Sequence, residues 1–191
     1  MYNLKESERI FVFTGPDGSG RKTVAKLVGA TFHMNGVVSH TTRTKRRYET
    51  EGVDYHYLSE EDFLEAHRNG EFLEKVEING YLYGIKEKEI EEKFKKKGCI
   101  WVVLNTEGAD ILKEMYGDKV IRVFVYADEE TVKRRQYGRG DSDEVIQSHI
   151  DHYNEDMTYK EKCEYSVENY ELSHTTFEIA NLVEKYLEPT K

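Results

Sequence analysis

The stretch from residue 10 to residue 30 constrains the fold most. An apolar run, Ile10-Phe11-Val12-Phe13, passes straight into Gly15-Pro16-Asp17-Gly18-Ser19-Gly20, and residues 24–30 then carry a helical pattern. A continuous apolar run of this length suits a strand covered on both faces. Glycines after such a strand let successive backbone N–H groups converge on an anion at the start of the next helix. Strand, glycine-rich turn and helix in that order predict a phosphate-binding loop, with Gly15, Gly18, Ser19, Gly20 and Thr23 as its candidate phosphate ligands.

The rest of the chain repeats the alternation. Residues 100–104 and 120–125 are further apolar, β-branched runs, and 165–167 reads as a last short strand. Helical patterns fall at 60–68, 86–97, 106–115, 129–137, 143–161 and 175–187. Strands alternating with helices predict an α/β fold with a parallel central sheet in three layers, whose ligands sit at the carboxyl ends of the strands. Residues 37–84 are poorer in apolar runs and richer in Thr, Tyr, Gly and charge, which predicts a β-rich insertion.

Composition narrows the partners. The chain has 191 residues, a size for one domain, and a net charge of −9. An acidic chain is poorly suited to a nucleic-acid polymer, whose phosphates select basic faces. The cations gather instead in two small groups, Arg43 to Arg47 and Arg134, Arg135 and Arg139, as two local anion sites would require. No run approaches the ~20 apolar residues of a membrane span. The two cysteines, Cys99 and Cys163, lie far apart without metal or redox spacing, consistent with a reducing, cytoplasmic setting. His149, His152 and Asp156 could share a helix face, but no further ligand of fixed spacing accompanies them, so no metal site is assigned.

The phosphate loop departs from its usual pattern at two positions. Where Gly-x-x-x-x-Gly-Lys-[Ser/Thr] demands Lys, this chain has Arg21; where it demands a metal-binding hydroxyl, it has Lys22. Arginine is a wide planar fork rather than a compact ammonium, and a second cation cannot serve as an oxygen ligand. Two expectations follow. Either a bulge at Gly20-Arg21 shifts the register so that Lys22 and Thr23 take the lost roles, or the loop is degenerate and phosphoryl transfer is slowed or absent.

The middle of the chain is the most specific segment. It reads Ser39-His40-Thr41-Thr42-Arg43, Arg46, Gly52-Val53-Asp54-Tyr55-His56, Glu71-Phe72-Leu73-Glu74 and Gly80-Tyr81-Leu82-Tyr83-Gly84, and it is followed by Gly138-Arg139-Gly140. In order and spacing these strings resemble guanylate kinases, a family of P-loop nucleoside monophosphate kinases. The resemblance implies a P-loop NTPase-type core (residues 1–36, 85–132 and 152–191), a GMP-binding subdomain (37–84) and a helical lid (133–151). It implies a GMP site lined by Ser39, Arg43, Arg46, Tyr55, Glu74 and Tyr83. The chemistry agrees: a carboxylate accepts from the N1–H and 2-amino groups of guanine, donors adenine lacks there, while arginines and tyrosine hydroxyls hold a phosphate.

The same resemblance implies ATP, carried as its Mg2+ complex, as the second substrate, with Arg21, Lys22, Arg134 and Arg139 as the catalytic cations and Asn169 near the adenine. The chain departs from the family again at Val103 and Asn105, where aspartates are expected, at Ile85, where Ser or Thr follows the Tyr-Gly pair, and at 146–150, which lacks an arginine but contains His149. Three readings stay open: a GMP kinase, a guanylate-kinase-like module that holds a phosphorylated peptide, and a guanine-nucleotide sensor without turnover.

Overall fold

The computed structural model describes residues 2–95 and 98–187. The apolar run at the start forms β1 (Arg9–Thr14), and the helix after the glycine loop is α1 (Arg21–Thr31). Then come β2 (Asn35–Gly36), β3 (His40–Thr41), β4 (His56–Tyr57), α2 (Glu60–Arg68), β5 (Phe72–Ile78), β6 (Tyr81–Lys86), α3 (Glu87–Phe94) and β7 (Cys99–Val103). The chain continues through α4 (Thr106–Tyr116), β8 (Val120–Tyr126), α5 (Glu129–Gly138), α6 (Asp143–Asp151), α7 (Tyr153–Thr158), β9 (Tyr165–Glu168) and α8 (Leu172–Leu187).

Five strands make a parallel sheet in the order β2-β7-β1-β8-β9. Alternation along β1 explains the layering. Ile10 and Val12 pack with Ile90, Phe94, Ala109 and Leu112 from α3 and α4, whereas Phe11 and Phe13 pack with Val24, Ala25, Val28, Ile179 and Val183 from α1 and α8. Every one of these side chains is buried, so the strand reads as continuously apolar in sequence. The fold is the three-layer α/β architecture that the alternation predicts.

Residues between β2 and α3 form a second, mostly antiparallel sheet in the order β4-β3-β6-β5. Its β5–β6 hairpin turns at Asn79-Gly80, both at positive φ (51° and 76°), the two-residue connection that Asn-Gly favours. A bulge between Phe72 and Glu74 changes the register so that Glu74 pairs with Ile85.

Most element boundaries fall where periodicity puts them, with two differences. The helix expected over 143–161 is three pieces, α6, α7 and a 3₁₀ turn at Tyr159–Lys162, broken at His152. The break seats Tyr153 in the interior, where its hydroxyl donates to the Ala127 carbonyl at 2.8 Å. The helix expected over 86–97 ends at Phe94, and Lys96 and Lys97 lie outside the described residues. Among the described residues no helix is long and apolar enough to cross a membrane.

Candidate functional site

At the carboxyl end of β1, Gly15 (φ 130°) runs so close to β8 that a Cβ would strike the Val125 carbonyl oxygen. Gly20 (φ 92°) lies equally close to the side-chain amide of Asn169. The loop between them is held from outside. The Ser19 carbonyl accepts from Asn169 Nδ2 at 2.7 Å and from Arg135 at 3.0 Å, and Arg135 also reaches the Asn169 carbonyl at 2.7 Å. Buried Asn169 thus anchors the loop and keeps its own Oδ1 unpartnered.

The two departures in the loop have separate fates. Helix α1 begins regularly, its Val24 N–H donating to the Gly20 carbonyl at 3.1 Å, so the chain has no bulge at Gly20-Arg21. Arg21 reaches back to Asp17 (2.8 Å) and to the Leu104 carbonyl (3.2 Å). Lys22 leaves the loop altogether, bonding the Asp54 carbonyl at 3.0 Å and the Asp54 carboxylate at 2.9 Å, while Thr23 is exposed. The register-shifted form, with Lys22 in the loop, is therefore not the one adopted.

Asp17 is the loop's negative charge. Its half-exposed carboxylate has Arg21 as partner and His149 Nε2 at 3.7 Å. Partial burial opposes ionisation there, but Arg21, His149, Arg139 and Arg46 together hold the carboxyl below its ordinary value. These four cations and potential cations come from the start of α1, from the end of α5 and α6, and from the insertion, so three parts of the chain converge on one anionic position.

From α5, fully buried Gln136 bridges His149 Nδ1 (2.5 Å) and the Asp17 carbonyl (3.3 Å). Arg139 pairs with Asp141 and leaves its second guanidinium nitrogen buried and unpartnered, a donor available to a phosphate. Arg134, by contrast, is exposed and bonds only Thr131 on its own helix, at 3.2 Å. His152 bonds the Ser148 carbonyl at 2.8 Å and does not join His149.

The insertion supplies a second cluster. Arg43 lies against buried Glu49 at 2.7 Å and against the Tyr83 hydroxyl at 3.3 Å. Glu49 also accepts from the Arg46 backbone N–H and the Tyr57 hydroxyl, both at 2.8 Å. The Tyr55 ring lies 5.8 Å from the Tyr83 ring, with the Arg43 guanidinium 5.5 Å from its centroid. Burial raises the Tyr55 hydroxyl to about 12, which keeps it a donor at neutral pH. Arg46 reaches the Tyr48 hydroxyl at 3.2 Å.

Glu74 is the outlier of the site. It is 3 % exposed, and neither carboxylate oxygen has a hydrogen-bond partner. Desolvation first, and the neighbouring Glu107 second, push its pKa to about 8, with the Ile85 backbone N–H offering only weak opposition. A Cβ on Gly108 would lie 3.2 Å from Asn105 Oδ1 and 3.4 Å from Glu74 Oε2, so both side chains flank Gly108 at the start of α4. Buried Ser39 lies immediately before β3, and Ile85 is wholly inside the core. An unpaired buried carboxyl is costly and fits a ligand that brings donors.

A metal ion bound directly by the chain does not fit this arrangement. Lys22 has turned its ammonium to Asp54, Val103 carries no ligand atom, and Asn105 Oδ1 caps α4 by accepting from the Gly108 N–H at 3.0 Å. Among the described residues no three His, Cys, Asp or Glu side chains are grouped to hold a metal.

The family model described as Guanylate kinase matches residues 7–186. This chain belongs to the guanylate kinase family. It is 30% identical to the guanylate kinase of Fusobacterium nucleatum over 176 residues, spanning 92% of this chain and 95% of that one. It is 32% identical to the guanylate kinase of Anaplasma phagocytophilum over 184 residues, spanning 94% and 88%. The crystal structure of guanylate kinase from Anaplasma phagocytophilum superposes with a TM-score of 0.77 at 28% identity, covering 98% of this chain and 90% of that chain.

Sequence reasoning named Ser39, Arg43, Arg46, Tyr55, Glu74 and Tyr83, of which Arg43, Arg46, Tyr55 and Tyr83 lie together while Glu74 lies by Gly108, but gave no role to Glu49, Gln136 or Asp54. Glu49 had a signal: it is the acid that closes the basic stretch Arg43 to Arg47, and clustered arginines in a folded site need a carboxylate between them. Gln136 had none, because an amide on a polar helix looks like any solvated residue.

Proposed function

We propose that this protein transfers the γ-phosphoryl group of ATP to GMP, giving GDP and ADP. In that reaction the bond from the γ-phosphorus to the ADP oxygen breaks as a bond to a GMP phosphate oxygen forms. No side chain need act as general base, because positioning and charge neutralisation carry the step. The observation that supports this reading most is Glu74, a buried carboxyl without a hydrogen-bond partner, on the same small sheet that carries Tyr83 and precedes Arg43. Guanine would bring the two donors that the carboxylate lacks.

In this reading residues 37–84 form the GMP-binding unit, 133–151 the lid, and 1–36, 85–132 and 152–191 the core. Ser39 and Glu74 face the base; Arg43, Arg46, Tyr55 and Tyr83 hold the monophosphate. Gly15, Gly18, Ser19 and Gly20 present backbone N–H groups to the ATP phosphates, with Arg21 and the free donor of Arg139 neutralising the transferring group. Magnesium arrives with ATP as part of the substrate. The exposed Arg134 has no contact that supports a catalytic role, whereas Arg135 secures the loop. A peptide-holding module would gain nothing from an unpaired Glu74.

The test is GMP-dependent ADP formation from Mg·ATP by the purified protein. Turnover that requires GMP, is not replaced by AMP and is abolished in Arg43→Ala supports the reading. Absence of GMP-dependent turnover overturns it.

A further inference from the structure

Lys22 occupies a loop position that elsewhere serves ATP, yet every contact of its ammonium lies in the insertion. Its Nζ donates to the Asp54 carbonyl at 3.0 Å, pairs with Asp54 Oδ1 at 2.9 Å and sits over the Tyr55 ring at 4.7 Å from the centroid. Lys26, one helical turn on, adds a second ammonium to the same oxygen at 3.3 Å. The other oxygen of Asp54 accepts from the Thr50 N–H at 2.8 Å.

Asp54 is therefore saturated by groups from two parts of the chain, α1 and the loop that begins at Thr50. We propose that Lys22 is a positioning residue of the monophosphate side: through Asp54 it clamps the insertion to the start of α1 and fixes the Tyr55 ring beside Arg43. This rests on the reading of residues 37–84 as the GMP site.

The geometry separates this role from an ATP role. To reach a triphosphate in the loop, Lys22 would have to abandon two bonds to Asp54 and the face of Tyr55, leaving a carboxylate only 16% exposed with Lys26 as its sole side-chain partner. Arg21, one residue earlier, already supplies a cation on the loop side. The adjacent pair Arg21-Lys22 thus divides its charges, one to each substrate. Tyr55 gains most, since a ring in contact with both the Lys22 ammonium and the Arg43 guanidinium presents its hydroxyl in one orientation.

The experiment measures GMP binding by calorimetry without ATP or metal, and separately the binding of a non-hydrolysable ATP analogue. Wild type is compared with Lys22→Ala, Asp54→Asn, the double variant and Lys22→Arg. The clamp predicts that each single variant weakens GMP binding roughly tenfold, about 1.4 kcal/mol. The double variant is no weaker than either single one, and Lys22→Arg recovers most of the loss. Affinity for the ATP analogue moves by less than about twofold, a split that general damage to the fold would not produce. GMP affinity indifferent to both substitutions, or a loss confined to the ATP analogue, overturns the clamp and leaves the kinase reading standing. Wild-type protein without saturable GMP binding overturns both.

Discussion

The insertion and the phosphate loop treat their cations in opposite ways. In the insertion, Arg43 is braced by a carboxylate, Glu49, that is itself buried and also bonded by the Arg46 backbone and Tyr57. The Tyr83 hydroxyl and the Thr44 carbonyl take the other two guanidinium nitrogens. In the loop, Arg21 is drawn onto Asp17, a half-exposed carboxylate within the loop itself, and Lys22 is drawn away to Asp54. One arginine is fixed by a buried acid with all three of its guanidinium nitrogens engaged; the other rests on an acid that solvent reaches. A side chain already fixed in place rearranges less when a ligand binds, so the two halves differ in what an incoming ligand must displace.

The strongest way to break the contrast is to remove the braced arginine. Arg43→Ala takes a phosphate ligand from the site and strands Glu49 in the interior, so kcat/KM for GMP should fall by roughly 10³ and the fold should lose about 3–5 kcal/mol. Steady-state kinetics and thermal unfolding on one preparation measure both. Adding Glu49→Gln to Arg43→Ala should return much of the stability and none of the activity. That separation distinguishes a bracing acid from one that touches substrate.

Glu74→Gln should come next, with a loss of about 10² in GMP affinity, because a side-chain amide offers one acceptor where guanine needs two and adds a donor against a donor. The wild type should also show a pH dependence that the variant lacks. On the proposed reading guanine takes the Glu74 carboxylate, and with burial pushing that pKa up to about 8, binding releases a proton below that pH. Affinity should climb as pH rises towards 8 and level off above it. The stability of the free protein should run the other way. With a folded pKa above the unfolded 4.5, Glu74 binds its proton more tightly when folded, so its contribution declines between about 4.5 and 8 and is constant beyond.

Restoring the loop sharpens the comparison from the other side. In Arg21→Lys, Lys22→Ser a compact ammonium and a hydroxyl return to the helix start. Turnover should rise roughly tenfold if loop chemistry limits the rate, while KM for GMP rises roughly tenfold because the clamp to Asp54 is lost. An increase in turnover with KM for GMP unchanged would show that Lys22 does nothing for the monophosphate.

Sequence carried the fold well because its signals are periodic. The β1 run, the loop glycines and the alternation of strands and helices each reflect a local constraint that packing then satisfied. Composition marked the insertion as β-rich but not its strands, since β3 and β4 are two-residue strands whose existence depends on pairing with β6 and with each other. The site was legible as a set of residues and illegible as a set of partnerships. Nothing at Lys22 announces Asp54, which is 32 positions away, and nothing at Arg135 announces the Ser19 carbonyl, 116 positions away. Long-range pairing of charges is decided by the fold, after propensity and pattern have finished.

The smallest expected effect lies at Asn105, at the start of α4. Its Oδ1 caps α4 through the Gly108 N–H, and Asp caps as well as Asn, so Asn105→Asp should leave stability within about 0.5 kcal/mol. The same substitution puts a new negative charge across Gly108 from Glu74, next to the Glu107 that already opposes its ionisation. The pKa of Glu74 should rise further, and the pH at which GMP affinity levels off should move up with it. At pH 7 the variant should therefore bind GMP a few-fold more weakly than wild type, and at pH 9 nearly as well. Should the weakening persist unchanged at pH 9, the new carboxylate would be perturbing the base site by contact rather than by charge, and Glu74 would lose its place as the group whose ionisation governs guanine binding.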